Sequence, residues 1–351
     1  MKKKTSKFKC PATEWALITH AKNIPAKRIW TTTVGRGQLA RTLATERPDA
    51  EVTCLSLDAY LAERVLAEAT GEVPAGLRVY CQADWPESTC DLVLLPVDEN
   101  GEEELARDLM QSAYMKLEIG GKFLLSAPHR WEGWAREQLK PYDKRIKATR
   151  IDDAVVCEVE KNSELKRPRE FSAEVAFRDR EKLIQLRTRP GVFAHRKLDL
   201  GARQLLNTIE IGESTKRILD LGCGSGSVGL GLAMRGEGIQ VVAVDSNPRA
   251  LECTRNSFSA NGLGNLQTIL NHDAQLVLDQ PVDLAVANPP YFSHFKIAEI
   301  FCEIASRNLR KGAQVFFVAK NVDWYLENFG RWFSQAEIIE SGGYRVITGV
   351  R

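Results

Sequence analysis

Asn288-Pro289-Pro290-Tyr291 stands directly after the apolar run Val282-Asp283-Leu284-Ala285-Val286-Ala287. These residue types suit one task, the presentation of a planar amine to an electrophile. An exocyclic amine on a nucleobase is a poor nucleophile, because its lone pair is delocalised into the ring. The side-chain carbonyl of Asn288 and a backbone carbonyl beside it can each accept an N–H. Two such bonds aim the lone pair at the incoming group and disperse the positive charge that develops. Pro289 and Pro290 fix φ and remove two backbone donors, which leaves a rigid wall of acceptors. Tyr291 is placed to stack on a flat base. Phe292 and His294 lie just beyond, as candidate contacts to base or phosphate.

A second cluster precedes it. Asp220-Leu221-Gly222-Cys223-Gly224-Ser225-Gly226 closes the strand-like run from Arg217 and leads into a helical pattern near Val228. Glycines at 222, 224 and 226 let the backbone turn sharply and approach a ligand. Dinucleotide-binding loops use the same device, but their G-x-G-x-x-G spacing is wider. Asp220 would repel a pyrophosphate and suits a cationic amino group. S-adenosylmethionine carries an α-amino group and no phosphate, so it is the expected cofactor. Asp245 ends the next run, Val241 to Val244, about 20 residues past the loop, where a carboxylate accepts ribose hydroxyls. Asp273, after a third run, is a candidate for the adenine amino group, with a surface turn as the alternative. Cys223, between the glycines, is expected to pack and not to act as a nucleophile.

The elements that must carry these residues occur twice. Arg28-Ile29-Trp30-Thr31-Thr32-Thr33-Val34-Gly35-Arg36-Gly37 aligns without gaps on Arg217 to Gly226, with Gly35 and Gly37 on Gly224 and Gly226. The runs Glu51 to Leu55, Asp91 to Leu95 and Gly120 to Leu125 match Gln240 to Val244, Asp283 to Ala287 and Lys311 to Phe317 in the same order. Helical patterns such as 58–67 and 249–260 alternate with them. That alternation predicts a parallel sheet covered by helices on both faces. The first copy lacks the chemistry. Thr31 stands at the loop aspartate, Thr33 at the first glycine, Ser56 at Asp245, and Leu95-Pro96-Val97 at Ala287-Asn288-Pro289. It is expected neither to bind the cofactor nor to catalyse.

Bulk properties narrow the class. A length of 351 residues suggests two domains. A net charge of +2 excludes a polycation, so any nucleic-acid surface must be a local patch. The segment from Lys140 to Arg203 has a basic excess, a candidate RNA contact or a solvated face. None of the eight cysteines has zinc or CxxC spacing. No metal site is expected. No run approaches the roughly 20 apolar residues of a membrane helix. With no signal-peptide pattern, a cytoplasmic protein is expected.

The C-terminal half resembles the class I methyltransferases, in particular the ribosomal RNA guanine-N2 methyltransferases of the small subunit methyltransferase C and large subunit methyltransferase G type. Its carriers are Pro190-Gly191-Val192-Phe193, Leu198-Asp199-Leu200-Gly201, the 220–226 loop and Asn288-Pro289-Pro290-Tyr291. The resemblance covers 185–351 closely and the N-terminal half in layout. It implies an α/β chain of two tandem Rossmann-like domains. Residues 1–165 would be the degenerate one, serving RNA docking or structure, and 166–351 the catalytic one. The implied reaction is methylation of guanine N2 in ribosomal RNA or a ribosomal subunit, by an enzyme expected to act in the cytoplasm as a monomer. The resemblance further implies Phe193 near the cofactor, and Arg189 and Arg196 among the substrate contacts. The family usually reads Asn-Pro-Pro-Phe-His where this chain has Tyr291 and a later His294. Asn-Pro-Pro-Tyr is also common in adenine-N6 and protein-glutamine methyltransferases, so adenine N6 of ribosomal or transfer RNA stands as the alternative target.

Overall fold

The structure, a computed structural model, describes residues 9–67, 72–290 and 295–351. The chain divides into two units, Met1–Phe171 and Ser172–Arg351. The first runs α1 (Ala12–Ala21), β1 (Arg28–Thr31), α2 (Gln38–Glu46), β2 (Glu51–Ser56), α3 (Ala59–Ala67), β3 (Leu77–Cys81), β4 (Cys90–Pro96), α4 (Glu103–Lys116), β5 (Leu117–Pro128), α5 (Glu132–Leu139), β6 (Lys147–Ile151) and β7 (Ala154–Glu160). The second opens with the hairpin β8 (Ala173–Asp179) and β9 (Lys182–Thr188). It continues through α6 (Leu200–Thr208), β10 (Arg217–Leu221), α7 (Ser227–Ala233), β11 (Gln240–Asp245), α8 (Pro248–Ala260), β12 (Leu266–Leu270) and β13 (Val282–Ala287). It closes with α9 (Lys296–Asn308), β14 (Leu309–Ala319), α10 (Asp323–Asn328), β15 (Ser334–Ser341) and β16 (Tyr344–Val350).

Each unit builds a seven-stranded sheet, in the orders β3-β2-β1-β4-β5-β7-β6 and β12-β11-β10-β13-β14-β16-β15. Both orders are the same path. The agreement reaches single residues. Arg28 faces Glu51, and Arg217 faces Gln240. The ladder slips between Cys90 and Leu92 in one sheet and between Val282 and Leu284 in the other. Asp91 Oδ2 accepts the backbone N–H groups of Lys27 and Arg28, as Asp283 Oδ2 accepts those of Lys216 and Arg217. Such side-chain bonds at matched positions are hard to obtain from two unrelated α/β folds, and they support the duplication read from sequence.

The parallel sheet expected from sequence carries one departure. β7 and β16 run antiparallel to both of their neighbours. Two residues join β6 to β7 and two join β15 to β16, which leaves no length for the crossover that a parallel pair requires. Asp152 at φ 50° and Gly342 and Gly343 at φ 53° and 78° form those turns.

Strands buried on both faces need apolar side chains in both directions. In the second unit Ile218, Val241, Val286 and Phe316 meet α6 and α7 on one side, where Leu205, Leu206, Leu230 and Leu232 pack. Leu219, Leu221, Val242, Ala285 and Phe317 meet α9 and α10 on the other. The β8–β9 hairpin lies along α8. Gln185 and Asn261 exchange two hydrogen bonds there, and Ser257 Oγ accepts the N–H of Arg187.

Candidate active site

Asp220 is the fourth residue of β10, a strand buried along its whole length. It sits opposite Val286 of β13. Side chains alternate along a strand, so Asn288, two residues beyond Val286, emerges on the same side of the sheet as Asp220. α6 covers that side, and the Asn288 side chain is bonded to the residue that begins α6. The chain winds outward from β10 to β11 in one direction and to β13 in the other. Such a reversal opens a crevice beyond the carboxyl ends of the strands. The register sets the two sequence clusters at the ends of adjacent strands, on one side of the sheet.

The glycine loop is held from both ends. Gly222 and Cys223 donate their N–H groups to the Val244 carbonyl at 2.8 and 3.1 Å, and Gly226 donates to Cys223 at 2.8 Å. Gly226, at φ 81°, caps α7 in the left-handed region, as Gly37 does at φ 79° for α2. Gly224 also has positive φ, and a Cβ on it would meet nothing within 4 Å. The backbone there faces open space where a ligand can lie against it.

Asp220 is only 3% exposed. Its Oδ2 accepts the N–H of Gly229 at 2.9 Å. A Cβ at Gly229 would stand 2.7 Å from that oxygen, so the glycine is what lets α7 come so close. Burial pushes the carboxyl up to about 7, against the Gly229 bond and with a further rise from the charge of Asp245. Among the described residues no cationic side chain pairs with it. A desolvated carboxylate in that state favours an incoming cation. Burial also raises the Cys223 thiol well above its ordinary value. It is protonated and accepts the Thr254 hydroxyl at 3.3 Å, which fits a packing role.

Asp245 lies half-buried at the end of β11. Its Oδ2 accepts Gly224 N–H at 3.0 Å and its Oδ1 accepts Asn247 N–H at 2.9 Å. Asn247 in turn caps α8 by accepting the Arg249 N–H, and donates its amide to the Gly191 carbonyl at 2.6 Å. Arg249 is fully buried and donates to the Pro190 carbonyl at 2.9 Å. The Pro190–Val192 segment is thus tied to the start of α8, beside Asp245. Val192 packs on Ala250 and Cys253, while Phe193 stands 68% exposed.

The remaining candidates make local contacts of their own. Asp273 sits in a half-buried turn after β12 and accepts the Gln275 N–H at 2.8 Å. Arg189 pairs with Glu252 of α8 at 2.8 Å, and Arg196 is exposed at φ 65°. Pro289 is buried and Pro290 half-buried. Tyr291, Phe292 and His294 lie outside the described residues. Among the described residues no His, Cys, Asp and Glu group of three or more could hold a metal ion, and no helix is long and apolar enough to cross a membrane.

Sequence reasoning assigned no role to Asn247 or Arg249. The Asn-Pro pair at 247–248 is the signal of a helix start and could have exposed the first. It also missed Glu14 in α1. That side chain is fully buried. Its Oε1 accepts the Thr33 hydroxyl and the N–H groups of Val34 and Gly35, and its Oε2 accepts Leu39 N–H, all within 3.0 Å. The loop of the first unit is closed around its own carboxylate. By register, Leu94 of β4 is opposite Thr31, so Pro96 holds the place that Asn288 holds in the second sheet.

A sheet of this order, with a glycine loop after its first strand and Asn-Pro-Pro after its fourth, defines the class I methyltransferase architecture. Residues 183–348 match the methyltransferase small domain family. The chain is similar to proteins named ribosomal RNA small subunit methyltransferase C and large subunit methyltransferase G. It is 26% identical over 297 residues to the small subunit methyltransferase C of Acinetobacter baumannii, covering 80% of this chain and 85% of the relative. It is 26% identical to the large subunit methyltransferase G of Streptomyces coelicolor, covering 86% and 82%. Among solved structures, the T. thermophilus 16S rRNA N2 methyltransferase in complex with AdoMet and guanosine superposes with a TM-score of 0.80 at 20% identity. The match covers 97% of this chain and 92% of that one, and it shows the shared two-sheet fold.

Proposed function

We propose that this protein transfers a methyl group from S-adenosylmethionine to the exocyclic N2 of a guanine in ribosomal RNA. The observation that carries the reading is that Asn288 follows β13 two residues past Val286, the register partner of Asp220 on the adjacent strand β10. The relatives' names support the substrate class, and the guanosine-bound neighbour supports the base.

The residues fit the cofactor by their chemistry. Asp220, a buried carboxylate without a cation, takes the ligand's ammonium. Asp245, at the next strand end, takes the ribose hydroxyls, with Asp273 as the candidate for the adenine amine. The open face of Gly224 leaves room for close backbone approach. When bound, the cofactor supplies an electrophilic methyl group. Asn288 Oδ1 and a neighbouring main-chain carbonyl accept the two N–H bonds of the target amine and orient its lone pair. No strong base is needed, since the methylated amine sheds its proton readily.

In this reading the second unit catalyses, and the first is a degenerate partner for RNA docking or structural support. Its loop is filled by Glu14, and Pro96 has no amide to offer. The protein would act in the cytoplasm as a monomer. The test is incubation with methyl-labelled cofactor and either purified ribosomal RNA or separated subunits, followed by mass spectrometry of the nucleosides. N2-methylguanosine is expected. N6-methyladenosine, or no labelled nucleoside from any substrate, would overturn the assignment.

A further inference from the structure

The Asn288 amide does not choose its own orientation. Its Nδ2 donates to Asp199 Oδ2 at 2.7 Å. The same oxygen accepts the N–H of Ala202 at 2.9 Å and so caps α6. An amide has one end that donates and one that accepts, and a carboxylate oxygen at this distance tolerates only the donor. With Nδ2 turned to Asp199, the carbonyl Oδ1 is the end left to accept a hydrogen bond. Were the amide to rotate by half a turn, its NH2 would meet the NH2 of the target, donor against donor, and the lone pair of the amine would lose its guide.

Gly201 makes the arrangement possible. A Cβ there would stand 2.9 Å from Asp199 Oδ2, 3.0 Å from Asn288 Oδ1 and 3.3 Å from Asn288 Nδ2. Any side chain at this position would drive a wedge between the two partners. The Asp-Leu-Gly sequence at 199–201 thus has a reason for both of its outer members, one to hold the amide and one to leave it space.

We propose that Asp199 is a positioning residue that fixes the polarity of the Asn288 amide, so that its oxygen and not its nitrogen meets the amine to be methylated. The inference rests on the function proposed above. Asp199 touches neither substrate nor cofactor in this account and acts only through Asn288.

Two substitutions separate this role from the capping of α6. Serine is a good cap but too short to reach Asn288. Asp199→Ser should therefore keep the helix and release the amide. In Asp199→Asn, the Ala202 N–H selects the amide oxygen for the shared position, where it can also accept from Asn288. We expect Asp199→Ser to lower kcat on ribosomal RNA on the order of a hundred-fold, the scale of a misplaced reacting group. Affinity for S-adenosylmethionine and the melting temperature should stay near wild type. Asp199→Asn should restore most of the loss, and Gly201→Ala should resemble Asp199→Ser. On an Asn288→Ala background, Asp199→Ser should cost nothing further.

A readout that needs no turnover keeps the inference independent of the assigned reaction. With asparagine selectively labelled by nitrogen-15, the Asn288 side-chain NH2 should give a pinned, slowly exchanging pair of signals in the wild type and in Asp199→Asn, and lose it in Asp199→Ser. A wild type without methyl transfer but with this signature would sink the function and leave the positioning role intact. An unchanged amide signature in Asp199→Ser, or an equal loss of rate from that substitution with and without Asn288, would overturn the proposal.

Discussion

Replacing Asp220 by asparagine should make the protein more stable and disable it. The carboxyl is raised from its ordinary 3.8 to about 7, chiefly by burial. In the folded state it holds a proton that the unfolded chain gives up near pH 4. Its ionisation therefore favours unfolding increasingly as pH rises from about 4 to about 7, and the full penalty is present above that window. With one pKa unit worth about 1.4 kcal/mol, the penalty is about 2 kcal/mol at pH 5 and about 4 kcal/mol at pH 8, as an order of magnitude. Asparagine carries no charge, and its side-chain oxygen can still accept the Gly229 N–H. Asp220→Asn should thus gain a few kcal/mol in urea unfolding of the ligand-free chain at pH 8, and about 2 to 3 kcal/mol less at pH 5. Calorimetry should show S-adenosylmethionine binding weakened by about ten-fold or more, the scale of a lost charged hydrogen bond. In the wild type, affinity should rise with pH through 7, with proton release on binding. A stability gain identical at both pH values, or undiminished binding in the variant, would refute the reasoning.

Three further outcomes follow from other sites. Asn288→Ala should lower methyl transfer about a thousand-fold, to a residual rate still measurable with labelled cofactor, while S-adenosylmethionine binding by calorimetry stays within a few-fold of wild type. Glu14→Gln leaves an NH2 facing one of four donors at a buried position, and should destabilise the first unit by about 2 kcal/mol in thermal unfolding, without loss of cofactor affinity. Asn247→Ala removes a helix cap worth about 1 kcal/mol and the hydrogen bond to the Gly191 carbonyl; hydrogen exchange should show earlier opening of residues 190–193.

The fold was legible because its signals are local and repeated. Alternating β-branched runs and glycine turns at matched spacing sufficed to read two copies of one α/β unit, and the residues at the ends of the first, second and fourth strands of the second copy pointed to a single crevice. The antiparallel edges were not read, since Glu337-Ile338-Ile339 and its partner look like any other strand and only the brevity of the turn at 342–343 reverses them. What supports the site was also hidden. Asp199 and Asn288 are joined by one hydrogen bond across 89 positions. Glu14 sits in a helix whose sequence gives no hint that a carboxylate points inward. Periodicity reports which face is apolar, and a single charged residue buried for its hydrogen bonds breaks that pattern without announcing why.

The carboxylate that fills the first loop has a thermodynamic corollary. A pocket furnished with its own permanent guest gains nothing from the metabolite pool, so the melting of the first unit should be indifferent to the methyl donor. The second unit, whose buried Asp220 has no cationic partner among the described residues, should melt higher as the donor accumulates. One polypeptide would then contain an internal reference and a responder side by side, and a two-step melting curve recorded across donor concentrations would move at one step only.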